Sequence, residues 1–154
     1  MLVPWPPEQL AARRGHFAQA AAENGLEVGE RTHWYDSTPA HEAVEWAVEH
    51  GGADELRRAV FRAYFVHDRN IASPKVLADL AEGAGLDGEA LRAALQEGRY
   101  RERIAAQYEE ARSVGVTAVP TFIAQPYALV GAHPYENFRK LMDSVSAAPT
   151  RTED

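Results

Sequence analysis

The sequence predicts a mostly helical α+β fold, and three observations carry that expectation. Apolar residues recur at helical spacing from about residue 8 to residue 114. After Gly115 the period changes to short β-branched and aromatic runs. Glycine or proline punctuates nearly every change between them. The 154 residues are 45% apolar and 25% charged, which suits a folded domain with a real core and argues against intrinsic disorder. A single domain over 1–146 is expected, with a helical region over 8–114, a hairpin-plus-helix segment over 115–146 and a polar tail over 147–154.

Taken in order, Met1 to Pro7 holds three prolines, which fix extended backbone and remove donors, so no helix is expected there. Glu8 to Asn24 carries Leu10, Phe17, Ala18 and Ala21 near helical spacing, with Gly25 as a stop. Residues 26–37 read as irregular. Thr38-Pro39 looks like an N-cap followed by proline at the first helical position, and places Ala40, Ala43, Val44, Ala47 and Val48 on one face before Gly51-Gly52. The next helix, about Asp54 to Asp68, has a stripe of Leu56, Ala59, Val60, Ala63 and Tyr64, with Phe61 and Phe65 pointing away from it. A helix apolar over so much of its circumference packs on two sides or has a partner elsewhere.

Ser73-Pro74 caps a fourth helix and Asp87 a fifth, which ends at Gly98. Tyr100 to Val114 forms a sixth, with Ile104, Ala105, Tyr108 and Ala111 spaced for burial. Val116 to Ala124 and Tyr127 to Val130 then read as two strands joined tightly through Gln125-Pro126. His133-Pro134 leads into a last amphipathic helix with Phe138, Leu141, Met142 and Val145 inward.

Composition excludes several functions. Lysine and arginine number 16 against 23 acidic residues, and the net charge of −7 opposes a nucleic-acid or anionic-membrane partner. No apolar run approaches the ~18 residues of a membrane span, and the first seven residues lack a signal-peptide layout, so a cytoplasmic location is expected. There is no cysteine, hence no disulfide, thiolate catalysis or thiolate-bound zinc. His41-Glu42-x-x-Glu45, with Glu49 one turn on, resembles a degraded zinc-protease word. It runs out to solvent on the helical wheel, so no metal is expected. His67 falls in line with Leu56, Val60 and Tyr64 and should point inward. His133 should serve local capping, and Trp34, Trp46, Tyr64 and Tyr108 read as core more readily than as a pocket. No glycine-rich phosphate loop and no Gly-x-Ser-x-Gly elbow occurs, and no cofactor is expected.

The C-terminal third resembles the DsbA family of thioredoxin-fold thiol–disulfide oxidoreductases, in particular its FrnE-like branch. The words are Ala111-Arg-Ser-Val-Gly-Val-Thr-Ala-Val-Pro-Thr-Phe-Ile123, Leu129-Val-Gly-Ala132 and Pro134-Tyr-Glu-Asn-Phe138. Thr38-Pro-Ala-His41, Leu56 through Phe65 and Ile71 through Leu80 are similar to that branch's inserted helical region. The resemblance implies an incomplete DsbA-like thioredoxin fold. It also implies a cis Val119–Pro120 bond, with Val119, Pro120 and Thr121 presented to an extended substrate. The family's opening strand, Cys-x-x-Cys helix and second strand have no counterpart here, and no thiolate is present for disulfide exchange.

Three readings follow. The first is a family member without redox chemistry, kept as a binding or scaffold surface. The second is an incomplete chain of a true disulfide oxidoreductase, whose cysteines lie elsewhere. The third is a glutathione-binding protein like the kappa-class transferases or 2-hydroxychromene-2-carboxylate isomerases, whose catalytic serine belongs to the same absent unit. Without the family's first strand, the edge at Thr121–Ala124 is expected to be covered by a partner chain, most simply in a homodimer, with an extended peptide as a further partner.

Overall fold

A computed structural model describes residues 7–147, with side chains described for 15–146. Six helices come first: α1 (Pro7–Glu23), α2 (Thr38–His50), α3 (Ala53–Phe65), α4 (Pro74–Gly83), α5 (Gly88–Glu97) and α6 (Arg101–Ser113). A hairpin of β1 (Thr121–Ala124) and β2 (Tyr127–Val130) follows, then α7 (Tyr135–Ala147). The architecture is therefore mostly α with a small antiparallel β element, the α+β class the sequence predicts. The chain divides into two compact units, Met1–Ile104 and Ala105–Asp154, with the division inside α6. Expectations for residues 1–6 and 148–154 lie outside the described residues; Pro7 itself opens α1 instead of preceding it.

The first unit is built around α2 to α5. Trp46, Leu56, Leu77 and Leu91 are its largest fully buried side chains, each removing apolar surface worth about 1.5–3 kcal/mol or more from water. The buried arc of α2 is rotated by roughly a quarter turn from the expected face. Trp46 and Glu42 point in, while Val48 is 57% exposed. The indole explains the rotation: it is the largest apolar group on the helix, and burying it outweighs burying Val48. Trp46 also stacks on His50, with centroids 3.9 Å apart, and the Trp46 carbonyl lies 2.7 Å from His50 Nδ1.

Local signals act largely where expected. Ser73 Oγ accepts from the Val76 N–H, and Asp87 Oδ1 accepts from the Ala90 N–H at 2.9 Å. Gly51 (φ 80°) and Gly98 (φ 66°) end α2 and α5 in left-handed backbone that other residues adopt at a cost. Thr38, however, is the first residue of α2 and not its cap. Asp36 Oδ1 accepts from both its N–H (2.9 Å) and its hydroxyl (2.7 Å), because a carboxylate two residues upstream reaches those donors better than Thr38 reaches along the helix.

The helix α3 stops at Phe65, three residues earlier than expected. Val66 and His67 both donate to the Arg62 carbonyl, and Asp68 turns into left-handed backbone (φ 48°). His67 consequently leaves the helical phase and is exposed, not inward. Asp68 fastens the preceding loop instead: its Oδ2 accepts from the Thr32 N–H at 3.0 Å and the Thr32 hydroxyl at 2.5 Å. Those bonds hold its carboxyl below the usual carboxylate range. In α6 only Ile104 is buried; Ala105 and Tyr108 are exposed, since the first unit ends at Ile104.

In the second unit Thr121 pairs with Val130, Phe122 with Leu129, Ile123 with Ala128 and Ala124 with Tyr127. The strand expected from Val116 begins only at Thr121, because Pro120 can donate nothing to the ladder. Phe138, Leu141 and Val145 of α7 are half-buried as expected, but Met142 points out, 55% exposed.

Candidate functional site

The segment that enters β1 is shaped by two hydrogen bonds and a cis peptide bond. The Thr121 hydroxyl donates to the Ala118 carbonyl at 2.6 Å, and the Gly131 N–H donates to the Pro120 carbonyl at 2.7 Å. The Val119–Pro120 bond is cis, as is Gln125–Pro126 in the hairpin turn. The carbonyls on either side of Val119 are thus engaged within the chain. Among the described residues neither backbone group of Val119 has a hydrogen-bond partner, and its side chain is 88% exposed.

The register extends this to the strand. In an antiparallel pair, opposed residues alternate between those that exchange hydrogen bonds and those that do not. Because Gly131 bonds to Pro120, the exchanging pairs are Phe122–Leu129 and Ala124–Tyr127. Thr121 and Ile123 therefore point their N–H and C=O groups away from β2, and the sheet among the described residues has two strands. Val119, Thr121 and Ile123 form one outward row of backbone donors and acceptors.

The row is held from behind. Phe122 meets Phe138 of α7 edge to face, centroids 4.8 Å apart, although Phe122 keeps 41% of its surface exposed. His133 fixes the turn into α7. Its Nδ1 accepts from the Asn137 amide at 3.1 Å, which leaves Nε2 as the protonated nitrogen, donating to the Val130 carbonyl at 2.8 Å.

The other constellations resolve differently. Glu45 and Glu49 do not simply face solvent, as the helical wheel predicts. Arg103 Nη1 lies 3.0 Å from Glu45 Oε1 and 2.8 Å from Glu49 Oε1, and the Tyr100 hydroxyl donates to Glu49 Oε2 at 2.5 Å. The Tyr100 bond, with Arg103 second, holds the Glu49 carboxyl below the usual range. Burial, reinforced by Glu49, raises the Tyr100 phenol. Sequence reasoning missed this seam because its halves are more than fifty residues apart; the only signal was an acidic i, i+4 pair on a helix that holds no lysine or arginine. No group of three metal-ligating side chains occurs among the described residues. Of the four large aromatics, Trp46 is core and Tyr64 is half-buried, whereas Trp34 and Tyr108 are exposed. No helix among the described residues is long and apolar enough to cross a membrane.

The model of the DSBA-like thioredoxin domain matches residues 7–143. The chain belongs to that family. This DsbA-like chain is 37% identical over 105 residues to the uncharacterized protein YwbO of Bacillus subtilis, a match covering 66% of this chain and 51% of the relative. The crystal structure of a probable DsbA oxidoreductase from Streptomyces coelicolor superposes with a TM-score of 0.81 at 30% identity, covering 97% of this chain and 66% of the other. A putative protein disulfide isomerase from Nitrosomonas europaea shares the fold at a TM-score of 0.71 and 21% identity, over 94% of this chain and 76% of that one. The DsbA-like chain thus spans about half the length of the curated relative and just under two thirds of the Streptomyces protein. Its 154 residues hold no cysteine.

Proposed function

We propose that this DsbA-like chain is a binding member of its family and does not itself catalyse disulfide exchange. Its ligand is an extended backbone laid along the outer edge of β1, with Val119, Pro120 and Thr121 as the substrate-binding loop. The observation that carries this reading is the row at Val119, Thr121 and Ile123, whose backbone groups face outward while the flanking carbonyls are engaged. An exposed row of this kind is a template for strand addition. Exchange needs a thiolate nucleophile, and any thiolate must come from outside these 154 residues.

A second copy is the most economical occupant. Two β1 strands running antiparallel about Phe122 set Thr121 of each opposite Ile123 of the other, so both outward pairs of N–H and C=O groups are satisfied at once. Light scattering during size-exclusion chromatography tests this at micromolar concentration. The intact chain should run as a dimer and Ile123→Pro, which removes an outward donor without touching the β2 ladder, as a monomer. A monomeric wild-type chain that also fails to shift its Thr121 and Ile123 amide resonances with an extended peptide would refute the edge reading. An insulin-reduction assay should stay at background; clear turnover refutes the non-catalytic part.

A further inference from the structure

Thr32, His33 and Asp68 of the first unit form a cluster that the proposed function leaves unused. The Thr32 hydroxyl stands 2.5 Å from Asp68 Oδ2 and 2.7 Å from His33 Nδ1. Two oxygens this close hold a proton between them, and an ionised carboxylate brings none. The Asp68 carboxyl, held below the usual range by its bonds to Thr32, is ionised at neutral pH. The Thr32 proton therefore points at Asp68, and its oxygen can only accept from His33. The neutral imidazole thus carries its proton on Nδ1 and its lone pair on Nε2. Nε2 has no hydrogen-bond partner among the described residues, and the His33 side chain is 68% exposed.

Asp68 itself is unusual in two respects. Its Oδ1 is buried with no hydrogen-bond partner among the described residues, a costly state for a carboxylate oxygen. It is also the one described non-glycine residue with a positive φ, 48°. Oδ2 is left as the bonding oxygen, 3.9 Å from His33 Nδ1. Tyr35 supports the same arrangement. Its ring stacks on His33, with centroids 5.8 Å apart and planes 16° from parallel, and its hydroxyl lies 3.4 Å from the Asp68 carbonyl. His33 is therefore set in both tautomer and orientation before any ligand arrives. His133, by contrast, has both ring nitrogens engaged.

We propose that His33 is a nucleophilic histidine that cleaves small activated esters, with Thr32 and Asp68 as positioning residues. The Nε2 lone pair attacks the ester carbonyl carbon and forms a C–N bond. The bond from that carbon to the leaving oxygen breaks, and its electron pair departs with the oxygen. The acylated ring is a cation, its Nδ1 proton still held by Thr32 and the Asp68 charge close by. Water then adds to the acyl carbon, the C–N bond breaks, and its electron pair returns to Nε2. The proton that water loses is taken up by the departed oxygen, so one ester and one water give one acid and one alcohol. The proposal is independent of the strand edge in the second unit and of disulfide exchange.

The test follows hydrolysis of p-nitrophenyl acetate by the full chain near neutral pH. If the six histidines reacted equally, His33→Gln would remove about one sixth of the histidine-dependent rate. The proposal expects a fall of about ten-fold. His67→Gln, at an exposed ring with no hydrogen bond among the described residues, should leave the rate in place. Thr32→Val should lose most of the His33 rate, and Thr32→Ser, which keeps the hydroxyl, should retain it. Nitrogen-15 spectra of the wild-type rings should show the His33 proton on Nδ1, and Thr32→Val should turn that signal into a mixture of tautomers. Substoichiometric diethyl pyrocarbonate should carbethoxylate His33 first, as read by peptide mass mapping. An unchanged rate in His33→Gln, a proton on Nε2 of His33, or carbethoxylation that begins at another histidine would each overturn the assignment. Should Thr32→Val unfold by circular dichroism, the wild-type spectra and the mass mapping decide.

Discussion

The two units differ in how they treat apolar surface. The first closes over Trp46, Leu56, Leu77 and Leu91 completely, whereas none of the described side chains from residue 105 to 146 is buried. Phe122, Ile123, Tyr127, Val130 and Met142 each keep between 41% and 55% of their surface exposed. Four helices can interdigitate side chains on several sides, which is what produces fully buried positions. One helix against a two-stranded hairpin has a single contact plane, and such a hairpin is marginal alone. The first unit therefore has the means to hold itself together. The second leaves apolar surface open, consistent with the binding role proposed for its strand edge.

The sharpest way to break that contrast is to truncate one aromatic in each unit. Trp46→Ala removes a fully buried indole and should cost about 3–5 kcal/mol. Phe122→Ala removes a ring with one aromatic partner and much remaining exposure, and should cost about 1 kcal/mol. Urea unfolding followed by circular dichroism measures both. Equal losses would mean that the hairpin possesses a closed core after all, and the comparison fails.

The same contrast explains what could be read in advance. Helix limits set by local chemistry were legible: Ser73 and Asp87 cap where short polar side chains precede apolar runs, and Gly98 stops α5. The hairpin was legible for the same reason, two β-branched and aromatic runs around Gln125-Pro126. Which face of α2 turns inward was not, because that depends on where Trp46 finds room among three other helices. His67 was misplaced because periodicity assumes the helix continues, and a carboxylate at Asp68 bonding back to Thr32 ended it. At the candidate site the Val-Pro-Thr word located the loop. That Val119, Thr121 and Ile123 share one edge required the register, which follows from the Gly131 bond to Pro120.

A smaller effect should separate core from seam within the first unit. Glu49 has its carboxyl held below the unperturbed 4.5, so the stability it contributes is present above about that pH and lost as pH falls through the folded value. Tyr100 has its phenol raised above 10.0, so its contribution is complete below that pH and lost as pH rises through the folded value. Tyr100→Phe should flatten the alkaline limb of a melting-temperature profile and shrink the acid limb to what Arg103 alone supports. A profile identical to wild type at both ends would show that this seam adds nothing to the helical core.

The smallest effect concerns the edge of the first unit, where the core thins out. Ala21 is the one buried residue among the described side chains of α1. A Cβ built on Gly15 meets nothing within 4 Å, and Gly15 lies inside the helix without a positive φ. Gly15→Ala should therefore stabilise α1 by about 0.5–1 kcal/mol, through the backbone entropy that glycine loses on entering a helix. That gain belongs to local opening more than to global unfolding, because so little of α1 is tied to the core. It should appear as slower amide exchange over residues 16–23, by about two- to five-fold, with little change in the urea midpoint. Faster exchange would mean that the added methyl displaces something seated against this face, and α1 would then belong to a covered surface and not to the rim.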